Sequence, residues 1–483
     1  MMNTRSMLNY ALPLAAAVLT ITGSSLAVPP DIGPQVRADT GGSSQANETT
    51  LSSGNFNPRE MICGWNDYRN QIKAGFGISL DGGRTWTDYL IRPPAGHTSS
   101  VEGDPMSCYD ERTGYLWAGA ISFASNGGVY VARKAPGAAT LEPSIMARNS
   151  GGADKGWMAA GPLPGNPDST RVYIAYNEGL LWSDDLGQTW SGPRGLGNGL
   201  GFLPRIGPNG ELYIAYWDWV SGDGVMLKRS FDGGSTISTI RMATRMDVWG
   251  VDGTRFPGTF RVPPLVSLAV DPIDGTLYCV YFDTTNIVGG SRNVDLYMCK
   301  STDQGSTWTT PTVINGDSTP PGDQFFPWIE VDEHHRLHIL FYDTRALSHD
   351  DSAGQAFIEA YYTYSDDGGA SWNEMILTPA PFNSENTGTG GGFIGDYLGM
   401  GIADGKAFPC YLSNQNGSSD IFTHVITALP GDLNNDCVVD QADLGLLLSS
   451  YLANDEGDID GNGVTDQADL GILLGNYGHT CTD

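Results

Sequence analysis

Positive charge is what this chain has least of. Its 483 residues carry 26 Lys and Arg against 55 Asp and Glu, a formal charge of −29. Such a surface repels phosphate backbones and anionic headgroups, which argues against nucleic-acid and membrane-surface partners. Helix-periodic stretches are missing until the C-terminal segment. Apolar runs long enough to insert into a membrane are missing throughout. The one short run, Ala11–Ile21, follows Arg5 and ends at Ser25-Leu26-Ala27. That order reads as a signal peptide cut after Ala27, so an exported, secreted protein is expected. Cysteine is sparse and odd in number, seven in all. At least one thiol is therefore left outside any pair within the chain. Cys279 and Cys299 lie symmetrically about Gly289-Gly290, so a hairpin turning there sets them opposite, within disulfide reach. Cys437 and Cys481 could clasp the two ends of the C-terminal segment.

Glycine, by contrast, is abundant at 64 residues, which favours short strands joined by tight turns. One turn keeps returning. Ser79-Leu80-Asp81-Gly82-Gly83-Arg84-Thr85-Trp86 recurs as Ser-x-Asp-x-Gly-x-x-Trp at Ser183–Trp190, Ser301–Trp308 and Ser365–Trp372. A copy at Ser230–Ile237 has lost its Trp. Repetition on this scale means an array of similar units. Seven apolar-aromatic second strands can be read: Met61–Asp67, Tyr115–Ser122, Arg171–Asn177, Glu211–Asp218, Thr276–Asp283, Arg336–Asp343 and Lys406–Asn414. Each is followed by a third strand, and five of those run into the Ser-x-Asp turn. The seventh unit lacks an evident fourth strand, which residues around Pro34–Asp39 would supply, closing the ring.

The repeated turn resembles the Asp-box, or BNR repeat, of the sialidase superfamily, over residues 47–429. The resemblance implies an all-β propeller, of seven blades by this count and six as the alternative. It also implies that each box is scaffold: its Asp accepts backbone N–H groups, its Gly permits the turn and its Trp packs between blades. Active sialidases carry Arg-Ile-Pro near the start of a six-bladed propeller, three arginines on the substrate carboxylate, a Tyr–Glu nucleophile pair and an Asp acid/base. Here Pro204-Arg205-Ile206 comes late, and no Glu stands in an evident nucleophile position. The family's catalytic set is therefore not carried over, and strict exo-α-sialidase activity is not expected.

From Pro430 a second repeat takes over. Gly431–Leu444 returns 26 residues later as Gly457–Leu470, and each copy opens an apolar helix, Leu444–Leu452 and Leu470–Tyr477. Oxygen donors at loop positions 1, 3, 5, 9 and 12, with a carbonyl at 7, make an EF-hand-type cage. These are Asp432, Asn434, Asp436, Val438, Asp440 and Asp443, then Asp458, Asp460, Asn462, Val464, Asp466 and Asp469. Cys437 stands where such a loop usually has glycine. Two loop–helix units of this kind resemble a type I-like dockerin, a small all-α domain over 430–483. That family implies two Ca²⁺ ions, a cohesin-like partner and company with polysaccharide breakdown.

The long connections all fall at one end of the ring, where propeller loops carry binding and catalysis. Asp67, Asp218, Asp283, Asp343 and Asn414 recur there and read as strand-end caps. Unrepeated polar groups are the site candidates: Arg69, Glu102, Arg205, Arg255, Arg261, Tyr397 and, best placed for catalysis, Asp104, Asp323, Arg345 and Asp396. Trp217, Trp219, Tyr281 and Tyr342 add aromatic surface at that end. His334-His335-x-x-His338 looks like a metal motif but reads better as a solvated turn. The Gly388–Gly392 run reads as a lid hinge or as a plain connector. Two functions fit: a carbohydrate-active enzyme of glycoside-hydrolase type, or a non-catalytic glycan- or protein-binding propeller.

Overall fold

The computed structural model describes residues 30–42, 45–69, 73–98, 100–220, 223–246, 260–288, 291–316, 322–345, 356–385 and 392–480. The expected signal peptide, Arg255, Gly289-Gly290, most of the Gly388–Gly392 run and Cys481 lie outside them. Among the described residues no helix is long and apolar enough to cross a membrane.

The described residues form small antiparallel sheets, seven in number, and two short helices. The sheets begin with the strands Asn47–Ser52, Gly103–Tyr109, Trp157–Leu163, Leu200–Ile206, Ser267–Val270, Gln324–Val331 and Gly399–Ala403. Each of these touches the next, and the last touches the first, so the sheets stand in a closed ring around an axis. This is a β-propeller arrangement, and closure removes exposed inner edges. Large rings such as Trp65, Trp117 and Trp217 are fully buried in it. The third sheet has three strands, and an isolated Leu180–Arg194 bridge stands where a fourth would be. In the last sheet the outer strand is Val36–Arg37, from the N-terminus, paired with Thr423 and Phe422.

The repeated turns explain themselves chemically. Asp81 Oδ1 accepts from Thr85 N at 2.9 Å and from Ser79 Oγ at 2.8 Å, while Ser79 Oγ accepts from Gly83 N at 2.9 Å. The same bonds recur around Asp185, Asp232, Asp303 and Asp367. Gly83 takes φ +85°, which a side chain would resist. Trp86 is buried and donates to Thr423 Oγ1 of the last sheet at 3.1 Å, so this box ties the first sheet to the last. The copy without Trp, at Asp232, makes the same turn.

Cys279 and Cys299 do face each other across the Leu277–Val288 and Ser291–Ser301 strands, yet both are free thiols. The expected disulfide is absent. Opposition alone does not make one, because the bond also requires a Cβ–S–S–Cβ torsion of about ±85–100°. Cys437 is disulfide-bonded, and its expected partner, Cys481, lies outside the described residues. Helices α1 (Gln441–Ser450) and α2 (Gln467–Gly475) start three residues earlier than the apolar pattern suggested. Asp440 and Asp466 cap them, and Asp443 and Asp469 complete capping boxes, which fixes the start before the first leucine.

Candidate functional site

Every innermost strand begins at the long-loop end, and most begin with an irregularity. Register shifts lie between Asn47 and Thr50, Gly103 and Met106, Leu200 and Leu203, and Phe325 and Trp328. The residues inside those bulges take left-handed backbone: Glu48 (φ 53°), Asp104 (49°), Gly201 (69°) and Phe326 (52°). Lys155, just ahead of Trp157–Leu163, does the same (47°). Glycine suits such positions, and other residues strain there by about 1–2 kcal/mol each. Three of the strained residues carry charge, and their side chains meet.

Lys155 Nζ lies 2.8 Å from Glu48 Oε1, 2.6 Å from Asp396 Oδ2 and 3.8 Å from Asp104 Oδ1. Its backbone N–H donates to Asp104 Oδ2 at 2.9 Å. Asn66 donates to Glu48 Oε2 at 2.7 Å and accepts from Asp104 N at 2.9 Å. Arg261 grips Asp396 with two bonds, Nε to Oδ1 at 2.7 Å and Nη2 to Oδ2, and lies over the Phe393 ring. Glu48, Lys155 and Asp396 form a sealed floor, while the Arg261 side chain is 44% exposed. Gly395 is required here: at φ +96°, a Cβ would stand 2.6 Å from Glu48 N.

Burial sets the protonation pattern. It pushes Glu48 well above the usual carboxyl range, despite Lys155. Burial would raise Asp396 too, but Lys155 and Arg261 outweigh it and hold it down as a carboxylate. Burial would lower Lys155, but the carboxylates of Asp104 and Asp396 outweigh it and Lys155 stays charged. At the rim, half-buried Asp154 is raised to about 6 by burial, against the pull of Lys155 and with the nearby Asp104 carboxylate adding to the rise. A carboxyl raised in this way beside a fixed ammonium can give and take a proton near pH 6. Tyr68, raised to about 12 by burial, and buried Tyr397 border the same cluster.

Folded Asp154 holds a proton between pH 4 and 6 that the unfolded chain has released. Its contribution to stability is therefore most favourable below pH 4 and declines as pH rises through 6. Asp154→Asn should flatten the melting temperature between pH 4 and 6.5 relative to the wild type. The difference expected is on the order of 1–3 kcal/mol. Parallel melting curves for both proteins across that range would refute it.

The four leading sequence candidates divide. Asp104 and Asp396 meet in the cluster. Asp323 accepts from Val294 N at 3.0 Å, stapling two neighbouring sheets. Arg345 is clipped to Asp343 and to Glu374, whose strand is the outer one, at 2.7 and 2.8 Å. Arg69 makes the matching clip to Asp67 and Asp88. Glu102 accepts from Phe123 N, and Trp217, Tyr281 and Tyr342 are buried. Arg205 lies at the far end of its strand, pairing with Glu330 at 2.6 Å beside an axial cavity of about 270 Å³ lined by all seven innermost strands. The recurring aspartates act as caps: Asp67, Asp218 and Asp343 each accept from the N–H two residues on. His334, His335 and His338 bond separate partners, Asn435, Asp271 and Asp332. Buried Asp271 and exposed Asp274 on one turn and exposed His335 on the next lie close enough to share an ion, at the end away from the cluster.

In the C-terminal loops the twelfth-position carboxylates reach back across each loop. Asp443 accepts from Leu433 N and Asn434 N, and Asp469 from Ile459 N and Asp460 N. Asp432 accepts from Cys437 N, as Asp458 does from Gly463 N, both at 2.8 Å. Cys437 adopts φ +66° in place of glycine. Asp458, Asp460 and Asp469 each offer an oxygen within one small cluster, an all-oxygen donor set that suits a hard cation.

No family model matches the chain, and no curated protein matches it. Solved structures resemble it at low identity. A protein of unknown function from Dyadobacter fermentans is 14% identical, covers 83% of this chain and 99% of its own, and has a TM-score of 0.46. The intramolecular trans-sialidase of Ruminococcus gnavus is 13% identical over 82% of this chain and 97% of its own, at 0.43. A lectin from Burkholderia pseudomallei is 13% identical over 78% and 95%, at 0.49.

Proposed function

We propose that this protein is an exported carbohydrate-active propeller of the sialidase-superfamily type, a seven-bladed glycoside hydrolase-like enzyme acting on a glycan or glycoprotein. The observation that carries the reading is the charged cluster at the long-loop end, where Asp104, Lys155, Asp396 and Arg261 converge, with Asp154 beside it raised to about 6 by burial. Asp154 is the proton donor and Asp104 its partner. Lys155 bridges Glu48 and Asp396 and fixes both carboxyls beneath the rim. The floor acts by holding the rim carboxyls, since Glu48 and Asp396 are sealed from solvent. Arg261 presents its exposed edge to an anionic or hydroxyl-rich group.

The C-terminal domain is proposed to be a dockerin-like tether holding two Ca²⁺ ions. Asp432, Asn434, Asp436, Asp440 and Asp443 with the Val438 carbonyl would hold one, and Asp458, Asp460, Asn462, Asp466 and Asp469 with the Val464 carbonyl the other. The metal would supply loop order and charge neutralisation. Leu446, Leu448 and Leu474 on the helices and Tyr477 just beyond the second are exposed and offer the surface for a cohesin-like partner.

The test is a chromogenic-glycoside screen with a glycan array, run on wild type, Asp154→Asn and Asp104→Asn. Turnover by the wild type, falling by about 10²-fold or more in Asp154→Asn while glycan binding persists, is the expected result. Glycan binding without turnover by any of the three would make the propeller a binding module instead.

A further inference from the structure

The C-terminal segment 430–483 contains eleven Asp and Glu and no Lys or Arg. The cations that face it come from the propeller. Arg84, inside the first Asp-box turn, places Nη1 at 2.6 Å from Asp455 Oδ2 and Nη2 at 3.0 Å from Asp458 Oδ2. Arg59 also bonds both oxygens of Asp455, at 3.3 and 3.0 Å. The Asp458 side chain is fully buried at this contact. Asp458 is also the first-position donor of the second loop.

The remaining contacts show the same docking. Asn435, the fourth residue of the first loop, donates to Glu333 at 2.5 Å and meets His334 at 3.2 Å. A Cβ on Gly405 of the propeller would stand 2.3 Å from Asn435 Oδ1. Gly461, the fourth residue of the second loop, lies against Pro34. Both loop tips therefore rest on the propeller, while the leucine-bearing faces of the helices point away.

From this geometry we infer that the second calcium site is completed by the propeller: Arg84 is a positioning residue that holds Asp458 for the metal. The inference rests on the calcium reading above. Asp458 Oδ2 is fixed from outside by Arg84 and from within by Gly463 N, while Oδ1 stays on the loop side, accepting from Asn462 N at 3.1 Å. A first-position carboxylate needs one oxygen for the ion, so the outer one is free to take the guanidinium. Asp455 shares that guanidinium and offsets its charge, so Arg84 orients the ligand rather than competing with the cation. Among the described residues no arginine pairs with Asp432, its counterpart in the first loop. The two loops, alike in their pattern of oxygen donors, thus differ in what supports them. Partners that orient a ligand typically change metal affinity by about 10–100-fold when removed.

The experiment is calorimetric Ca²⁺ titration of the full chain, as wild type, Arg84→Ala, Arg84→Lys and Arg59→Ala. Wild type should show two sites. Arg84→Ala should weaken one of them about tenfold and leave the other unchanged. Arg84→Lys should restore part of the loss, and Arg59→Ala, which touches only Asp455, should do less than Arg84→Ala. The melting transition of the propeller, followed in parallel, should persist in all four proteins. Two sites in the wild type, both unchanged or tighter in Arg84→Ala, would overturn the role of Arg84 while leaving the calcium reading intact. No calcium uptake by the wild type would overturn both.

Discussion

Lys155→Met should destabilise the propeller by about 3–5 kcal/mol and abolish any glycan turnover. Lys155 is buried, and its ammonium is shared by Glu48 and Asp396, with Asp104 close by. Removing the cation leaves only Arg261, bonded to Asp396, to offset those carboxyls in a site closed to water. Methionine fills the space but carries no charge, so the loss is electrostatic rather than a cavity. The cost arises from the partners left behind. The double variant Lys155→Met/Glu48→Gln should therefore recover part of it, and the coupling is read from a double-mutant cycle by denaturant unfolding. Equal losses in the single and double variants would remove the ammonium from its central place.

The second large effect is expected from chelation. With EGTA, helices α1 and α2 should be lost while the propeller stays folded. The segment buries only a small apolar cluster, Leu429, Val439, Leu447 and Leu473. A domain of this size has too little core to stand alone, so a bound metal must contribute folding free energy. Its carboxylates outnumber every nearby cation, so their repulsion is strongest without the ion. Trypsin has no cleavage site within 430–483, which makes chymotrypsin the useful probe. Cuts at its leucines and tyrosines should appear in EGTA and vanish with Ca²⁺, alongside the loss of a separate calorimetric transition. Identical digestion with and without the chelator would defeat the metal-dependent fold.

The repeats were the legible part of this molecule, because a unit used many times leaves its spacing in the chain. The box turns sit between third and fourth strands wherever a fourth strand follows, and Val36–Arg37 completes the last sheet. The site was only half legible. Asp104 and Asp396 were legible as unrepeated polar groups at the long-loop end, and the glycines before them, Gly103 and Gly395, take positive φ. Glu48, Asp154 and Lys155 were not legible in that way. They belong to bulged strand starts whose sequences differ from sheet to sheet, and only the closed ring brings them together. Arg345 misled because it looked unrepeated, although Asp343-x-Arg345 does repeat Asp67-x-Arg69, and both serve as clips. Asp323 misled because its position at a strand start is right, while its side chain bonds the next sheet. The helix starts were read late because Asp443 and Asp469 were counted only as metal donors, whereas they also cap.

The central claim is that the Asp104–Asp154 pair at the mouth carries proton chemistry. It is tested most directly by the pH dependence of kcat/KM on the best substrate from the glycoside screen. The wild type should show an inflection near pH 6, from Asp154 in the free protein, and Asp154→Asn should lack it. A profile flat through pH 6 in the wild type, or the same inflection retained in Asp154→Asn, would contradict the account.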